Sequence, residues 1–199
     1  PLDGESVRGA TKLATLIYTS GTTGRPKGVM HSFGTFAWAI AKGAARVQMT
    51  AADRMLSYLP MAHVVERVLV EQGWLHVGLR VYFADSLATF GADIQRARPT
   101  IFFSVPRLWL KFQHAVHARL APTTLDRLLS IPIVAGFVRR KLLRTLGLEH
   151  CRIAAGGAAP MPIELLAWYR RIGLPINEGY GMTENLAVSH LTVPGRNQE

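Results

Sequence analysis

Cysteine and acidic residues are both scarce in this sequence. Its 199 residues include one cysteine, Cys151, and 13 aspartates and glutamates against 23 lysines and arginines. A single thiol excludes a disulfide within the chain and any cysteine-built metal site, so a reducing compartment is expected. The shortage of acidic charge leaves a net +10. That balance favours nucleotide phosphates, nucleic acid or an anionic membrane surface as partners, without choosing among them. Long apolar runs are missing as well. The longest, "LLSIPIVAGFV" at 128–138, falls short of the ~18 residues needed to span a bilayer, and Pro132 interrupts it. A soluble protein is therefore expected. No charged segment followed by an apolar stretch opens the chain, and residue 1 is proline rather than methionine, so the expectation is a chain that begins inside a longer one. Low-complexity tracts and internal repeats are absent too.

What remains is an ordinary globular composition: 49% hydrophobic residues, 18 glycines and 11 prolines. A chain of this length buries about 70% of its unfolded surface, enough for a true core. Apolar runs and helical periods alternate along it. "LATLIY" at 13–18 reads as a strand, followed by a glycine-rich loop and an expected helix over 29–46. Strands follow near 54–59, at 79–84 and at 100–105, separated by helices near 62–77 and 86–97. Pro106 suits the first turn of the next helix, where a missing N–H loses nothing. A basic helical region then runs to about Leu146. Strand 151–157, a helix opened by Pro162, strand 175–180 and the apolar segment 186–191 complete the order. Unbroken apolar strands separated by helices indicate an α/β fold with a mostly parallel sheet covered on both faces. No linker is visible, so residues 1–199 are expected to form one domain. Ligands in such sheets sit beyond the carboxyl ends of strands, where the 19–28 loop is expected.

That loop, "TSGTTGRPKG", is the most informative stretch. Gly21, Gly24 and Gly28 let the backbone turn its N–H groups toward one point. Thr19, Ser20, Thr22 and Thr23 add hydroxyls, and Lys27 a compact charge. A simple turn needs one or two such residues; the whole set suits a polyphosphate. The Walker A pattern fails at two positions, since Pro26 stands where its second glycine belongs and Gly28 where its magnesium-binding hydroxyl belongs. Phosphates must be held differently here, with more reliance on hydroxyls. Further on, "NEGYGMTE" at 177–184 combines an aromatic face (Tyr180), glycines that permit close approach (Gly179, Gly181), a hydroxyl (Thr183) and a hard oxygen donor for Mg²⁺ (Glu184). Alone it also reads as an ordinary strand and turn. "AAGGAAP" at 154–160 reads equally as a tight strand-to-helix turn.

Together these segments resemble a known family. "YTSGTTGRPKGVMHS" is similar to the phosphate-binding signature of the adenylate-forming superfamily, which includes acyl-CoA synthetases, firefly-type luciferases and peptide-synthetase adenylation domains, and "NEGYGMTE" resembles its second hallmark. The resemblance implies that this is part of the large N-terminal, AMP-binding domain of the acyl-CoA synthetase-like fold, without its C-terminal lid. It also implies roles. Thr19, Ser20, Gly21, Thr22, Thr23, Gly24 and Lys27 would hold phosphates. Gly156, Gly157, Ala158, Gly181 and Met182 would line the nucleotide pocket, with Gly157 also at the acyl site. Tyr180 would pack on adenine, Thr183 would contact the α-phosphate and acyl carboxylate region, and Glu184 would carry the metal. Lys27, Thr183 and Glu184 are the implied catalytic groups.

"LPMAHVVERV" at 59–68 and "FFSVPRLWLKF" at 102–112 resemble segments of long-chain fatty-acyl-CoA synthetases, with Leu110 departing from a glutamate common there. The implied reaction joins a fatty acid to ATP, releases pyrophosphate, and passes the acyl-adenylate to coenzyme A with release of AMP; Mg²⁺ is the implied metal. A fragment with the ATP and Mg²⁺ motifs alone is expected to be inactive. His63 is either a structural residue at a helix start or a neighbour of the acyl carboxylate. Arg107 and His31 are secondary candidates. Arg119, Arg127, Arg139, Arg140, Lys141 and Arg144 beside the 128–138 run read as a solvated helix face or as a contact with anionic lipid. The cytoplasm is the expected location, with the inner membrane surface as its extension. The rivals are an adenylate-forming enzyme with another acceptor, and a nucleic-acid-binding module, which lacks any aromatic-basic reader motif here.

Overall fold

The computed structural model describes residues 9–20 and 24–192. Strand β1 (Leu13–Thr19) and strand β2 (Lys27–Ser32) form an antiparallel hairpin in which Thr19 faces Lys27. The glycine-rich loop therefore joins two strands. The structure differs from the expectation of a loop that leads from this strand into a helix over 29–46, because β2 intervenes and helix α1 (Phe33–Arg46) starts only at Phe33. The cause is local: Ser32 is extended and its hydroxyl accepts the Thr35 N–H at 3.2 Å, which caps α1 and ends β2. The loop accordingly lies at a hairpin tip and not at the end of a parallel strand.

The rest follows the expected alternation. Strand β3 (Arg54–Ser57) pairs in parallel with β4 (Arg80–Phe83). Between them a π-helical segment, Glu66–Gln72, continues into α2 (Gly73–Val77). After α3 (Phe90–Ala97) comes β5 (Ile101–Ser104), then helices α4 (Pro106–His117), α5 (Pro122–Ser130) and α6 (Pro132–Thr145). Strand β6 (Ile153–Gly156), helix α7 (Ile163–Arg171), strand β7 (Ile176–Tyr180) and the short β8 (His190–Leu191) complete the described chain. Strands β5, β6 and β7 run parallel, and β8 closes the edge antiparallel. β3 lies beside β5, tied by the Thr100 N–H to the Arg54 carbonyl at 2.9 Å. The α/β class and the largely parallel sheet are as expected.

Strands β3, β5 and β6 are buried on both faces, which is why they read as unbroken apolar runs. Successive side chains point to opposite sides. Leu56, Phe102 and Ala154 enter one core with Trp109, Tyr169 and Ile176. Their neighbours Met55 and Ile101 enter a second core with Phe36, Val68 and Leu79. The first core is fixed by directional bonds as well as burial: the Trp109 indole donates to the Ala155 carbonyl at 3.3 Å, and the Tyr169 hydroxyl to the Trp109 carbonyl at 2.8 Å.

A charged clamp sets the strand starts in register. Arg152, just before β6, donates to both Asp53 oxygens at 2.9 and 2.6 Å and to the Val47 and Gln48 carbonyls. Asp53 also accepts from Thr50 and Thr100. Burial opposes ionisation of Asp53, but these hydrogen bonds outweigh it and hold the carboxyl down at about 2. The clamp thus joins the amino ends of β3, β5 and β6, and pairing with β6 sets β7 beside them, so that their carboxyl ends lie together.

Candidate functional site

At those carboxyl ends lies a cavity of about 260 Å³. Register places Ser104, Gly156 and Glu178 side by side at the ends of β5, β6 and β7. The turn after β6 supplies Gly157 and Ala158, and the segment after β7 supplies Gly181, Met182 and Thr183. Sequence reasoning named all of these except Ser104 and Glu178. His63, from the loop ahead of the π-helical segment, also lines the cavity.

The glycines are needed where the two turns meet. A Cβ on Gly157 would lie 2.9 Å from the Gly179 carbonyl oxygen, and one on Gly181 would lie 2.5 Å from the Ala187 Cα. Three non-glycine residues around the site hold positive φ: Ala158 (66°), Leu186 (58°) and Ala187 (58°). Such backbone strain concentrates at functional sites. Here it is over-determined by bonds: the Ala187 N–H reaches the Met182 carbonyl at 3.0 Å, the Leu186 N–H the Thr183 carbonyl at 3.2 Å, and the Met182 N–H the Asn185 Oδ1 at 2.9 Å.

The β1–β2 hairpin joins this site through one long-range contact. His31 on β2 is 4% exposed, and its Nε2 lies 2.8 Å from the Thr183 carbonyl, so an Nε2–H donates to it across 152 positions of sequence. A neighbouring cleft of about 310 Å³ is lined by His31 together with Glu184 and Asn185. The two signature segments thus share one side of the molecule. Thr19, Ser20, Gly24 and Lys27 sit at the hairpin tip outside the cavity lining, with Lys27 and Gly24 exposed; Gly21, Thr22 and Thr23 lie outside the described residues. Tyr180 is 59% exposed, beside the His190 ring at 6.0 Å, and does not line the cavity either. Arg107, exposed near the start of α4, is likewise not among its lining residues.

Glu184 is exposed, and among the described residues no three histidine, cysteine, aspartate or glutamate side chains converge to hold a metal. One open carboxylate at a cavity rim fits Mg²⁺, which keeps water and binds through one or two carboxylates plus substrate phosphates. It does not make a self-sufficient metal cage.

Two residues that sequence reasoning passed over shape the opposite wall. Glu66 is 2% exposed and accepts three hydrogen bonds: from the Ser57 hydroxyl (2.9 Å), the Tyr58 N–H (3.0 Å) and the Leu59 N–H (2.8 Å). It pins the end of β3 to the π-helical segment, a rare conformation that favours functional sites. Tyr58 lines the cavity and donates to the Phe103 carbonyl at 2.8 Å; burial pushes its hydroxyl up to about 12, so it stays a neutral donor. Glu66 stood inside the quoted "LPMAHVVERV" run, and a carboxylate in so apolar a setting was the available signal.

Next to the first cavity opens another of about 390 Å³, sharing Leu69, Phe103, Gly179 and Ala187 with it. Val47, Met49, Val188 and Leu191 make it largely apolar, while Lys42, Arg46, Ser189 and His190 stand at it as its polar members.

Comparison with known proteins agrees with this fold. The family description "AMP-binding enzyme" matches residues 4–199. The long-chain-fatty-acid–CoA ligase ACSBG2 of Gallus gallus is 32% identical over 214 residues, covering 90% of this chain and 28% of that ligase. The putative fatty-acid–CoA ligase fadD11 of Mycobacterium tuberculosis is 32% identical over 214 residues, covering 92% of this chain and 37% of its own length. The chain thus spans about a third of the curated relatives it matches. The A-PCP didomain of carboxylic acid reductase from Segniliparus rugosus, solved in complex with AMP, superposes with a TM-score of 0.67 at 29% identity, covering 92% of this chain and 26% of that one.

Proposed function

From the premise that this chain belongs to the AMP-binding enzyme family, we propose that the protein carrying it activates a long-chain fatty acid as its adenylate and transfers the acyl group to coenzyme A. The observation that carries the reading is the meeting of the Gly156–Ala158 turn and the Gly181–Thr183 segment at one cavity, with His31 of the hairpin bonded to the Thr183 carbonyl beside it. The fatty-acid branch is supported by the ligases to which the chain is similar. It is supported too by the apolar cleft adjoining that cavity, which offers room for a tail beyond the carboxylate.

A carboxylate is a poor acyl donor because its leaving group would be oxide. Attack of its oxygen on the α-phosphorus of ATP forms the new P–O bond, breaks the bond to the β-phosphate bridging oxygen and releases pyrophosphate. The mixed anhydride then accepts the thiol of coenzyme A at its carbonyl carbon, and AMP leaves. The first step brings two anions together, so alignment and neutralisation of charge are what the protein must supply. Thr183 stands at the junction of the cavity walls to orient the α-phosphate. Lys27 and the hydroxyls of Thr19 and Ser20 offer donors for the outer phosphates, and the Tyr180 ring a face for adenine. Glu184 would hold Mg²⁺, which when bound offsets phosphate charge. His63, on the opposite wall of the cavity, would meet the acyl carboxylate.

The test is ATP–pyrophosphate exchange and AMP release by the full-length protein over a panel of carboxylic acids, with and without coenzyme A. Exchange with long-chain fatty acids and AMP release that needs coenzyme A are expected. Exchange driven by amino acids instead, or none with any fatty acid, would overturn the reading.

A further inference from the structure

Helix α6 has two working faces. Val138, Leu142 and Leu143 pack against the first core, and Ala135 on the same face is buried. The opposite face, positions 133, 136, 137, 140, 141 and 144, follows the spacing of a single helical stripe and is exposed throughout. Its first half is apolar: Ile133 is 92% and Phe137 70% exposed, beside Ile131 at 49% in the α5–α6 elbow. Its second half is cationic, with Arg140, Lys141 and Arg144. Arg144 is paired with Glu149, and Arg139 donates to the Arg171 carbonyl. Among the described residues no carboxylate pairs with Arg140 or Lys141. From 119 to 144 there are six cations and a single acidic residue, Asp126, which is already paired with Arg171. No described helix is long and apolar enough to cross a membrane.

We propose that this stripe docks on an anionic lipid surface, the α5–α6 elbow entering the acyl region and Arg140 and Lys141 meeting the headgroup phosphates. Charge complementarity selects this occupant. A protein partner covering Ile133 and Phe137 would have to bring carboxylates of its own into place against Arg140 and Lys141, whereas anionic headgroups supply that charge at any position on the surface. An anionic bilayer offers hydrocarbon and phosphate in the same order along the normal. Only the physiological sense rests on the fatty-acid reading, since such a substrate partitions into membranes. Lipid binding is measured without substrate, so either idea can fail alone.

The experiment is cosedimentation of the full-length protein with vesicles of phosphatidylcholine alone and of phosphatidylcholine with phosphatidylglycerol. Wild type is expected on the anionic vesicles and largely free of the neutral ones. Each removed cation should weaken partition about five-fold, so R140Q/K141Q loses about 25-fold, whereas R140K/K141R retains binding. I133S/F137S should lose more than ten-fold with an unchanged melting temperature. Equal binding to both vesicles, or unchanged binding by R140Q/K141Q, overturns the proposal. So does a lowered melting temperature of I133S/F137S in a protein that ignores vesicles, which would mean that another part of the protein covers the stripe.

Discussion

Replacing Glu66 tests whether the cavity wall is held by one buried carboxylate. In Glu66→Ala, the Ser57 hydroxyl and the Tyr58 and Leu59 amides lose their acceptor. Three donors left without partners at roughly 1–3 kcal/mol each set an upper range of about 3–9 kcal/mol for a rigid loop. Tyr58 and Leu59 are only half-buried, so water takes over part of this, and a loss of about 3 kcal/mol is expected. Glu66→Gln behaves differently. Both amides address the same oxygen, Oε1, which the carboxamide keeps, and the Ser57 hydroxyl can turn to accept from the new NH₂ group. Only the charge assistance goes, about 1 kcal/mol. The assay is equilibrium unfolding of both variants in the full-length protein, paired with adenylation kinetics. Because the loop carries Tyr58 and His63 into the cavity, Glu66→Ala should raise KM for the carboxylate and lower kcat, with Glu66→Gln restoring most of both. Equal damage in the two variants, or a Glu66→Ala protein with unaltered stability and kinetics, would refute the reasoning.

Two further outcomes are expected. Gly181→Ala forces a Cβ to within 2.5 Å of the Ala187 backbone, so the 181–187 turn must shift at about 1–3 kcal/mol and ATP should bind about ten-fold or more weakly, as read by calorimetry. Gly91→Ala, with nothing within 4 Å, is the control and should leave ATP binding unchanged; equal affinity in both variants would count against the close approach. Acid stability tests the clamp. Asp53 sits at about 2 in the fold against an ordinary 3.8, so its contribution of about 2 kcal/mol is complete above the ordinary value and lost as pH falls through the folded one. The unfolding free energy of wild type should therefore drop by that much more than that of Asp53→Asn over this window, and parallel curves would exclude the clamp.

Much of this was legible because the signals act over a few residues. The alternation of "RMLS", "IFFS" and "IAAG" with helical periods announces strands buried on both faces, and the crowding of glycine and hydroxyl residues at 19–28 carries the resemblance to the family. Even the corrected boundary had a local mark, since the Ser32 to Thr35 spacing is that of a helix cap. That mark is faint because the six-residue strand "KGVMHS" runs directly into an amphipathic helix and merges with its apolar pattern.

By itself, then, the sequence determined the α/β alternation, the family and the two segments that resemble its signatures, because those depend on neighbours along the chain. Tertiary structure alone decided that the loop caps a hairpin, that His31 reaches Thr183 across 152 residues, and that Glu66 holds the far wall. Each of those is a pairing of one donor with one acceptor in space. Many residues in a chain offer such groups, and only the packing of the two cores decides which of them come within 3 Å.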